Sequence, residues 1–219
     1  MSGACSGDLP AHKSANLIGQ IPGCTGNPEA ELTSGQIFLE RIECIAANHP
    51  AGILLREKDL PEAEYELLAA QVMEICARHD VRCILHSFAD AALRLHSEAF
   101  HAPLFVLRGI PEAQRKQFRV LGASCHSVED AREAEQLGCT YITAGHIFDT
   151  DCKKGLPGRG LDFLREVCAP ADLPVWAIGG ITSENAADAR RAGAAGVCVM
   201  SGLMQCEDAA AAMKALDVS

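Results

Sequence analysis

Short apolar segments alternate with longer amphipathic segments along most of the chain. The apolar run 52–56 precedes residues 61–79, whose apolar side chains recur at helical spacing behind Pro61. Later runs keep this order and predict strands at 81–85, 99–106, 120–124, 141–144, 174–178 and 196–200, and helices at 88–95, 111–117, 127–137, 161–167, 185–192 and 206–216. Short apolar strands separated by helices are typical of a parallel sheet that is covered on both faces.

Two segments, residues 122–145 and 177–202, follow one plan. In each, a strand ends in small residues, a Ser or Thr precedes a helix, glycine closes that helix, and a new strand ends in glycine. Ser127 and Asp130 also have the spacing of a capping box. Similarity at an interval of two strand–helix units favours a closed (β/α)8 barrel, the TIM barrel, over an open sheet.

The barrel is complete when residues 17–22 are counted as the first strand. We therefore expect an α/β protein with a single (β/α)8 TIM-barrel domain over residues 17–219. Residues 1–16 are expected to form a tail that precedes this domain.

The composition limits the classes of partner. A formal net charge of −10 argues against nucleic acid and against an anionic membrane surface. The 11 cysteines include no Cys-x-x-Cys pair and no zinc-like spacing with histidine. No segment has membrane-spanning length, and the first residues lack the order of a signal peptide. We expect a cytoplasmic protein that acts on a small molecule, and a homodimer is compatible with such a barrel.

The connection after the predicted strand 141–144 is unusually long and polar. Residues 145–160 read GHIFDTDCKKGLPGRG and include His146 and Lys153, whereas connections in α/β units usually take about 2–6 residues. This connection leaves the C-terminal end of a strand, where (β/α)8 barrels carry their active sites. The segment is therefore predicted to be functional, with a flexible surface loop as the alternative.

Glycine turns follow the last two predicted strands. Gly179 and Gly180 come after the seventh strand, and Ser201 and Gly202 come after the eighth. The corresponding loops of (β/α)8 barrels often bind phosphate, because glycine lets backbone N–H groups approach the anion. These four residues are the predicted phosphate-binding site. Glycines that only form tight turns would give the same pattern.

Titratable side chains follow several other strands. Arg56 and Lys58 follow the second strand, where they could neutralise a phosphate or a carboxylate or could occupy a solvated strand end. His86 follows the third strand. His126 follows the fifth strand and could transfer a proton, or could be a structural residue beside a helix cap. His146 follows the sixth strand, as a second acid or base or as part of the wall.

The chain resembles the thiamine phosphate synthase and thiazole tautomerase superfamily. Four stretches carry the resemblance: LLREKD at 54–59, GASCHSVEDAREAE at 122–135, GHIFDTDCKKGLPGRGLDFL at 145–164, and residues 174–202. The likeness extends from about residue 38 to residue 206. It implies a (β/α)8 barrel that binds a phosphorylated thiazole at the C-terminal ends of its strands.

The resemblance also separates two branches of this superfamily. Synthase members join a pyrimidine pyrophosphate to a thiazole phosphate, need Mg²⁺, and carry an Asn-Asp pair after the third strand. This chain has His86 and Ser87 there, and no acidic residue lies between Phe100 and Glu112 in the region of strand four. Magnesium prefers oxygen ligands, so the resemblance predicts no metal site. Tautomerase members are similar to this chain at Ser-x-His-Ser and at Gly-His-x-Phe-x-Thr-Asp-Cys-Lys-Lys-Gly.

The resemblance therefore implies an isomerase of thiamine biosynthesis without a cofactor. The expected thiazole tautomerase would aromatise a carboxythiazole phosphate by a 1,3-proton shift. The implied catalytic residues are His126 and His146, and the implied substrate-binding residues are Arg56, Lys58, His86 and Lys153. One alternative is a thiamine phosphate synthase with Mg²⁺ as cofactor. The other is a non-catalytic regulator that binds a phosphorylated ligand.

Overall fold

The computed structural model describes residues 16–19, 28–57, 59–150, 153 and 155–217. The strands are β1 Asn16–Gly19, β2 Gly52–Leu55, β3 Cys83–His86, β4 Ala99–Pro103, β5 Val120–Cys125, β6 Tyr141–Gly145, β7 Val175–Ile178 and β8 Gly196–Val199. The helices are α1 Pro28–Ala46, α2 Glu62–Arg78, α3 Ala89–Arg94, α4 Leu104–Gly109, α5 Glu112–Arg115, α6 Val128–Gln136, α7 Gly160–Cys168, α8 Ala186–Arg191, α9 Ser201–Gln205 and α10 Ala209–Asp217.

The eight strands form a closed parallel barrel. Each strand pairs with the next, and β1 closes the barrel against β8 through the pairs Asn16–Cys198 and Leu17–Val199. The predicted single-domain (β/α)8 fold is thereby confirmed. The predicted first strand, 17–22, overlaps β1, and residues 20–22 lie outside the described residues. The predicted tail also lies outside them, except for Asn16, which begins β1.

Two apolar layers surround the sheet. The larger layer lies between the strands and the helices, and the smaller one fills the inside of the barrel. The inner layer consists of Ala51, Leu54, Ile84, Ala99, Val120, Tyr141, Trp176 and Cys198. Side chains alternate between the two faces of a strand, so residues two or four positions after an inner residue also face the barrel interior. This rule directs Arg56, His86, His101 and Ser124 towards the C-terminal mouth of the barrel, and His126 follows the end of β5 there.

Two glycines make room for the aromatic rings inside the barrel. A Cβ atom on Gly122 would lie 2.3 Å from the ring of Tyr141 and 2.4 Å from Nδ1 of His101. A Cβ atom on Gly196 would lie 2.3 Å from the ring of Trp176. Both rings are almost fully buried and fill the space below the mouth.

Most of the predicted helix starts, helix ends and strand ends agree with the structure. The Ser127 hydroxyl accepts a hydrogen bond from the Asp130 N–H at 3.0 Å, which confirms the cap of α6. Gly138 and Gly193 have positive φ values of 85° and 108° after α6 and α8, as helix-closing glycines do. The predicted strand 99–106 is too long: β4 ends at Pro103, because proline has no N–H for the ladder, and α4 begins at the next residue.

Within the described part of the chain, the helices are all too short or too polar to cross a membrane.

Candidate active site

The barrel mouth collects most of the predicted site residues. Arg56 follows β2, His86 ends β3, His126 follows β5 and His146 follows β6. Strand register also brings His101 of β4 into this region. Lys58 lies outside the described residues, so its predicted role in substrate binding is not located.

A buried histidine that the sequence reasoning missed lies at the floor of the mouth. His101 is 2 % exposed, and its Nδ1 and Nε2 lie 2.9 Å from the Tyr141 hydroxyl and 2.9 Å from the Ser124 hydroxyl. Burial, together with the positive charge of Arg56, lowers the pKa of His101 to about 3. The imidazole is therefore neutral, and it links three strands by hydrogen bonds.

His86 stacks on His101, with a distance of 5.6 Å between ring centroids. Its Nδ1 lies 2.6 Å from the Ser87 hydroxyl, and its backbone N–H donates to the Tyr65 hydroxyl at 2.8 Å. Burial lowers the pKa of His86 well below its ordinary value, and the neighbouring His101 and Arg56 lower it further. The mouth thus contains a second neutral imidazole.

Arg56 is the cation that faces this histidine pair. The pairing of Leu55 with Leu85 puts Arg56 next to His86 along the strand register, and its charge lowers the pKa of both His86 and His101. Among the described residues, its side chain forms no hydrogen bond or ion pair. The next residue, Glu57, is 5 % exposed and has a partner of its own. Arg56 is therefore available to an anionic ligand.

His126 is held in one orientation at the rim. Its Nδ1 lies 3.0 Å from the carbonyl oxygen of Gly145. A carbonyl only accepts, so Nδ1 carries the proton and Nε2 of the neutral ring presents its lone pair. The His126 N–H donates to Asp130 Oδ2 at 2.6 Å, and the guanidinium of Arg159 donates to the His126 carbonyl. These contacts fit a residue that transfers a proton through Nε2.

The long connection after β6 is folded onto itself. Nε2 of His146 lies 3.2 Å from the carbonyl oxygen of Leu156, and Asp149 Oδ1 accepts from the Gly158 N–H at 2.6 Å. The guanidinium of Arg159 lies 3.7 Å from the ring centroid of Phe163. These contacts stabilise the conformation of the loop, and His146 forms one of them. Its predicted catalytic role stays a prediction.

The predicted phosphate-binding glycines lie at two adjacent loops. Gly179 and Gly180 have positive φ values of 97° and 64°. A Cβ atom on Gly179 would lie 2.3 Å from Cβ of His146, so this turn must also accommodate the loop after β6. Ser201 and Gly202 are exposed and begin α9. The four residues stay a predicted phosphate site.

Lys153 is an exposed residue of the same long loop. Its backbone N–H donates to the Thr150 carbonyl at 3.0 Å. Residues 151, 152 and 154 around it lie outside the described residues. Its predicted contact with substrate stays a prediction.

Among the residues that the structure describes, the mouth does not provide the ligands of a dedicated magnesium site. Magnesium prefers carboxylate and other oxygen ligands in octahedral geometry. The described residues contain no group of three or more His, Cys, Asp or Glu side chains that could hold a metal ion. His86 and His101, the two histidines on which Arg56 acts, are neutral imidazoles, which are poor ligands for a hard dication. A magnesium ion therefore does not fit the residues described here.

Comparisons with known proteins identify the relatives of this chain. Residues 28–203 match the family model described as thiamine monophosphate synthase. Thiamine-phosphate synthase 2 of Streptococcus pneumoniae is 35 % identical over 182 residues, covering 80 % of this chain and 84 % of that protein. Thiamine-phosphate synthase of Roseiflexus castenholzii is 36 % identical over 170 residues, covering 75 % of this chain and 73 % of that protein.

A solved structure agrees with these relatives. Thiamine phosphate pyrophosphorylase from Pyrococcus furiosus superposes with a TM-score of 0.74 and is 25 % identical, covering 94 % of this chain and 95 % of the other. A 3-hexulose-6-phosphate synthase has a TM-score of 0.68 over 92 % of this chain and 98 % of its own. At 19 % identity, this second structure shows the fold alone.

The thiazole tautomerase interpretation of the sequence is wrong in the light of these comparisons. The relatives at 35 and 36 % identity carry the name of the synthase, which favours the alternative. The interpretation gave weight to the loop motif at residues 145–160. In the structure, His146 and Asp149 of that motif contact Leu156 and Gly158 within the loop, and Arg159 donates to the His126 carbonyl outside it. Residues of the motif stabilise the loop conformation, so the motif does not by itself specify the reaction.

Proposed function

The chain belongs to the thiamine monophosphate synthase family, and we propose that it joins a pyrimidine pyrophosphate to a thiazole phosphate to form thiamine phosphate. The ring nitrogen of the thiazole would attack the methylene carbon of the pyrimidine. The carbon–oxygen bond to pyrophosphate would break, and pyrophosphate would leave with the bonding electron pair. Both substrates are small phosphorylated molecules, in agreement with the names of the relatives.

One observation in the structure carries this proposal. The Arg56 guanidinium lies at the barrel mouth beside two neutral imidazoles and has no partner among the described residues. Negative charge accumulates on pyrophosphate as the carbon–oxygen bond breaks, and a fixed cation stabilises such charge in the transition state. Arg56 is therefore our candidate for this role.

We assign the proton transfers to His126 and the thiazole phosphate to the glycine loops. Because Nδ1 of His126 is bonded to Gly145, the ring exchanges its proton at Nε2, and its cationic form can donate to the departing pyrophosphate. The turn at Gly179 and Gly180 and the start of α9 lie beside each other after β7 and β8, where backbone N–H groups can contact phosphate oxygens. The described residues do not form a site for the magnesium ion that the family implies, so these roles fall to the side chains and backbone groups of the protein.

The proposal is tested by incubating the purified protein with both substrates, with and without Mg²⁺, and quantifying thiamine phosphate. We expect His126→Asn to lower kcat by about 10²-fold with little change in substrate affinity. The matched control is His96→Asn, because His96 is exposed, lies after α3 and has φ = 53°, which asparagine tolerates. This control should keep wild-type turnover.

Absence of thiamine phosphate in both conditions would contradict the proposed function. Phosphorylated-ligand binding without turnover would then favour the non-catalytic alternative. Wild-type turnover of His126→Asn would contradict the role of His126 and leave the assignment of the reaction intact.

A further inference from the structure

Tyr65 connects the ends of two strands from outside the barrel. It belongs to α2 and is fully buried in the apolar layer between the helices and the strands. Its hydroxyl donates to the Leu55 carbonyl at 3.1 Å and accepts from the His86 N–H at 2.8 Å. Leu55 ends β2 and His86 ends β3, so a single hydroxyl bridges both strand ends.

The two bridged groups belong to the peptide units that lead into the mouth. The Leu55 carbonyl shares a planar peptide unit with the Arg56 N–H, and the His86 N–H shares one with the Leu85 carbonyl. The register of β2 and β3 ends at the pair Leu55–Leu85. Holding these two peptide planes therefore sets the positions from which the side chains of Arg56 and His86 begin.

We propose that Tyr65 is a positioning residue, whose hydroxyl holds Arg56 and His86 at a fixed separation in the mouth while its own side chain stays in the outer layer. The inference rests on the proposed function, in which Arg56 stabilises the charge of the departing pyrophosphate. A cation does this efficiently only when it is held in place before the bond breaks. A displacement of about 1 Å can lower a rate by about 10²-fold.

The surroundings of Tyr65 keep its hydroxyl in place. Burial raises the pKa of Tyr65 above its ordinary value, so the hydroxyl keeps its proton and remains a donor. Its ring packs against Phe88, with 4.7 Å between ring centroids, and the Phe88 N–H donates to the His86 carbonyl at 2.9 Å. The Ser87 N–H donates to the His101 carbonyl at 3.1 Å and connects the end of β3 to β4. Tyr65 provides the corresponding connection from β3 to β2.

Thr140 offers a matched control at the opposite end of the barrel. Its hydroxyl accepts from the Leu121 N–H at 3.1 Å and donates to the Leu121 carbonyl at 3.3 Å. Thr140 precedes β6 and Leu121 lies near the start of β5, so this hydroxyl joins two strands at their N-terminal ends. Tyr65→Phe and Thr140→Val each remove one hydroxyl that bonds a backbone N–H and a backbone carbonyl, with little change of shape.

Steady-state kinetics of thiamine phosphate formation test the proposal. We expect Tyr65→Phe to lower kcat about 10-fold, because Arg56 is no longer held where the charge develops. The KM for the thiazole phosphate should change by less than about 2-fold, since the loops assigned to its phosphate follow β7 and β8. Thr140→Val should lose similar stability in urea unfolding and keep the wild-type kcat.

Amide hydrogen exchange, followed by NMR, tests the positioning without turnover. We expect Tyr65→Phe to speed exchange of the His86 N–H at least about 10-fold and to leave the Leu121 N–H nearly unchanged. Thr140→Val should show the opposite selectivity. A general loss of stability would speed exchange of both amides alike, so the crossed pattern reports the two local hydrogen bonds.

The outcomes separate this inference from the proposed function. A wild-type protein that forms no thiamine phosphate would refute the proposed function, and selective exchange at His86 would still support the role of Tyr65 in holding the strand ends. Unchanged exchange at His86 in Tyr65→Phe, a wild-type kcat in that variant, or an equal loss of kcat in Thr140→Val would overturn the inference.

A second variant replaces Tyr65→Phe if that protein does not fold. Phe88→Leu keeps the Tyr65 hydroxyl and removes the ring that packs against it. We expect a smaller loss of kcat, about 3-fold, together with faster exchange of the His86 N–H. Wild-type values of both quantities in Phe88→Leu would then overturn the inference.

Discussion

Burial decides which side chains at the barrel mouth carry charge. His86 and His101 remain neutral because water is excluded from their rings, and Arg56 keeps its charge beside them. The Tyr141 and Ser124 hydroxyls satisfy both nitrogens of His101, so the ring is fixed without an ionic partner. A single position, Gly122, allows this arrangement because it has no side chain.

Gly122→Ala should destabilise the protein by about 3 kcal/mol, since the added methyl group would overlap two buried rings. The overlap involves the ring of Tyr141 at 2.3 Å and Nδ1 of His101 at 2.4 Å, and neither side chain has space to move. Urea unfolding measures the change. Gly35→Ala is the control: nothing lies within 4 Å of its added Cβ atom, and alanine favours a helix interior. A Gly122→Ala protein as stable as this control would refute the packing argument.

At the scale of elements, one arginine connects the first helix to the end of the barrel. Nε of Arg41 in α1 donates to the Leu203 carbonyl of α9 at 2.8 Å. The same guanidinium also donates to the carbonyl oxygen of Cys206. These carbonyls belong to the C-terminal end of α9, where carbonyl oxygens lack N–H donors within their own helix. Arg41 therefore holds α9 in place behind the loop that follows β8.

Arg41→Gln should lower the free energy of unfolding by about 2–3 kcal/mol, because it removes two charge-assisted hydrogen bonds to backbone carbonyls. The appropriate control is Arg165→Gln. Arg165 is exposed, and among the described residues its side chain pairs with Asp162 three residues away on α7; such a pair contributes little. Equal unfolding free energies for the two variants would show that the Arg41 contacts do not stabilise the fold.

The sequence predicted the elements better than it predicted the contacts between them. Period-two and helical spacing located the strands, and caps such as Ser127 located helix starts. Arg56 and His126 were predicted as site residues because each directly follows an apolar strand, and the structure places both after β2 and β5. His101 was missed because its role depends on the register of β4 against β5 and β6, which one sequence does not give. Alternation from Ala99 to His101 was the available signal, since both residues lie on the same face of β4.

At the scale of the whole molecule, the buried histidines make stability depend on pH. The pKa of His101 is about 3 in the folded protein, while a histidine in an unfolded chain takes up its proton near pH 6.5. The unfolded state therefore binds more protons between these values, so stability is complete above about pH 6.5 and is lost as the pH falls. His86 acts in the same direction.

We expect the free energy of unfolding to be lower at pH 5 than at pH 7.5 by about 2 kcal/mol from His101 alone. Urea unfolding at the two pH values measures this difference. His101→Gln cannot titrate, so it should be less stable at pH 7.5 but should lose less on acidification. His96→Asn removes an exposed histidine and should keep the wild-type loss. Identical losses in His101→Gln and the wild type would contradict the assignment to this residue.

The filled interior of the barrel has a consequence for the order of events. Tyr141 and Trp176 are 1 % and 0 % exposed and occlude the barrel below the histidine floor. Ligands must therefore enter and leave through the same opening, the C-terminal mouth of the barrel. If two substrates bind there together, the one that binds deeper must enter first. A product that lies beneath another must leave last. If the proposed reaction takes place at this mouth, we expect sequential kinetics with a fixed order, because the two aromatic rings close the other end of the barrel.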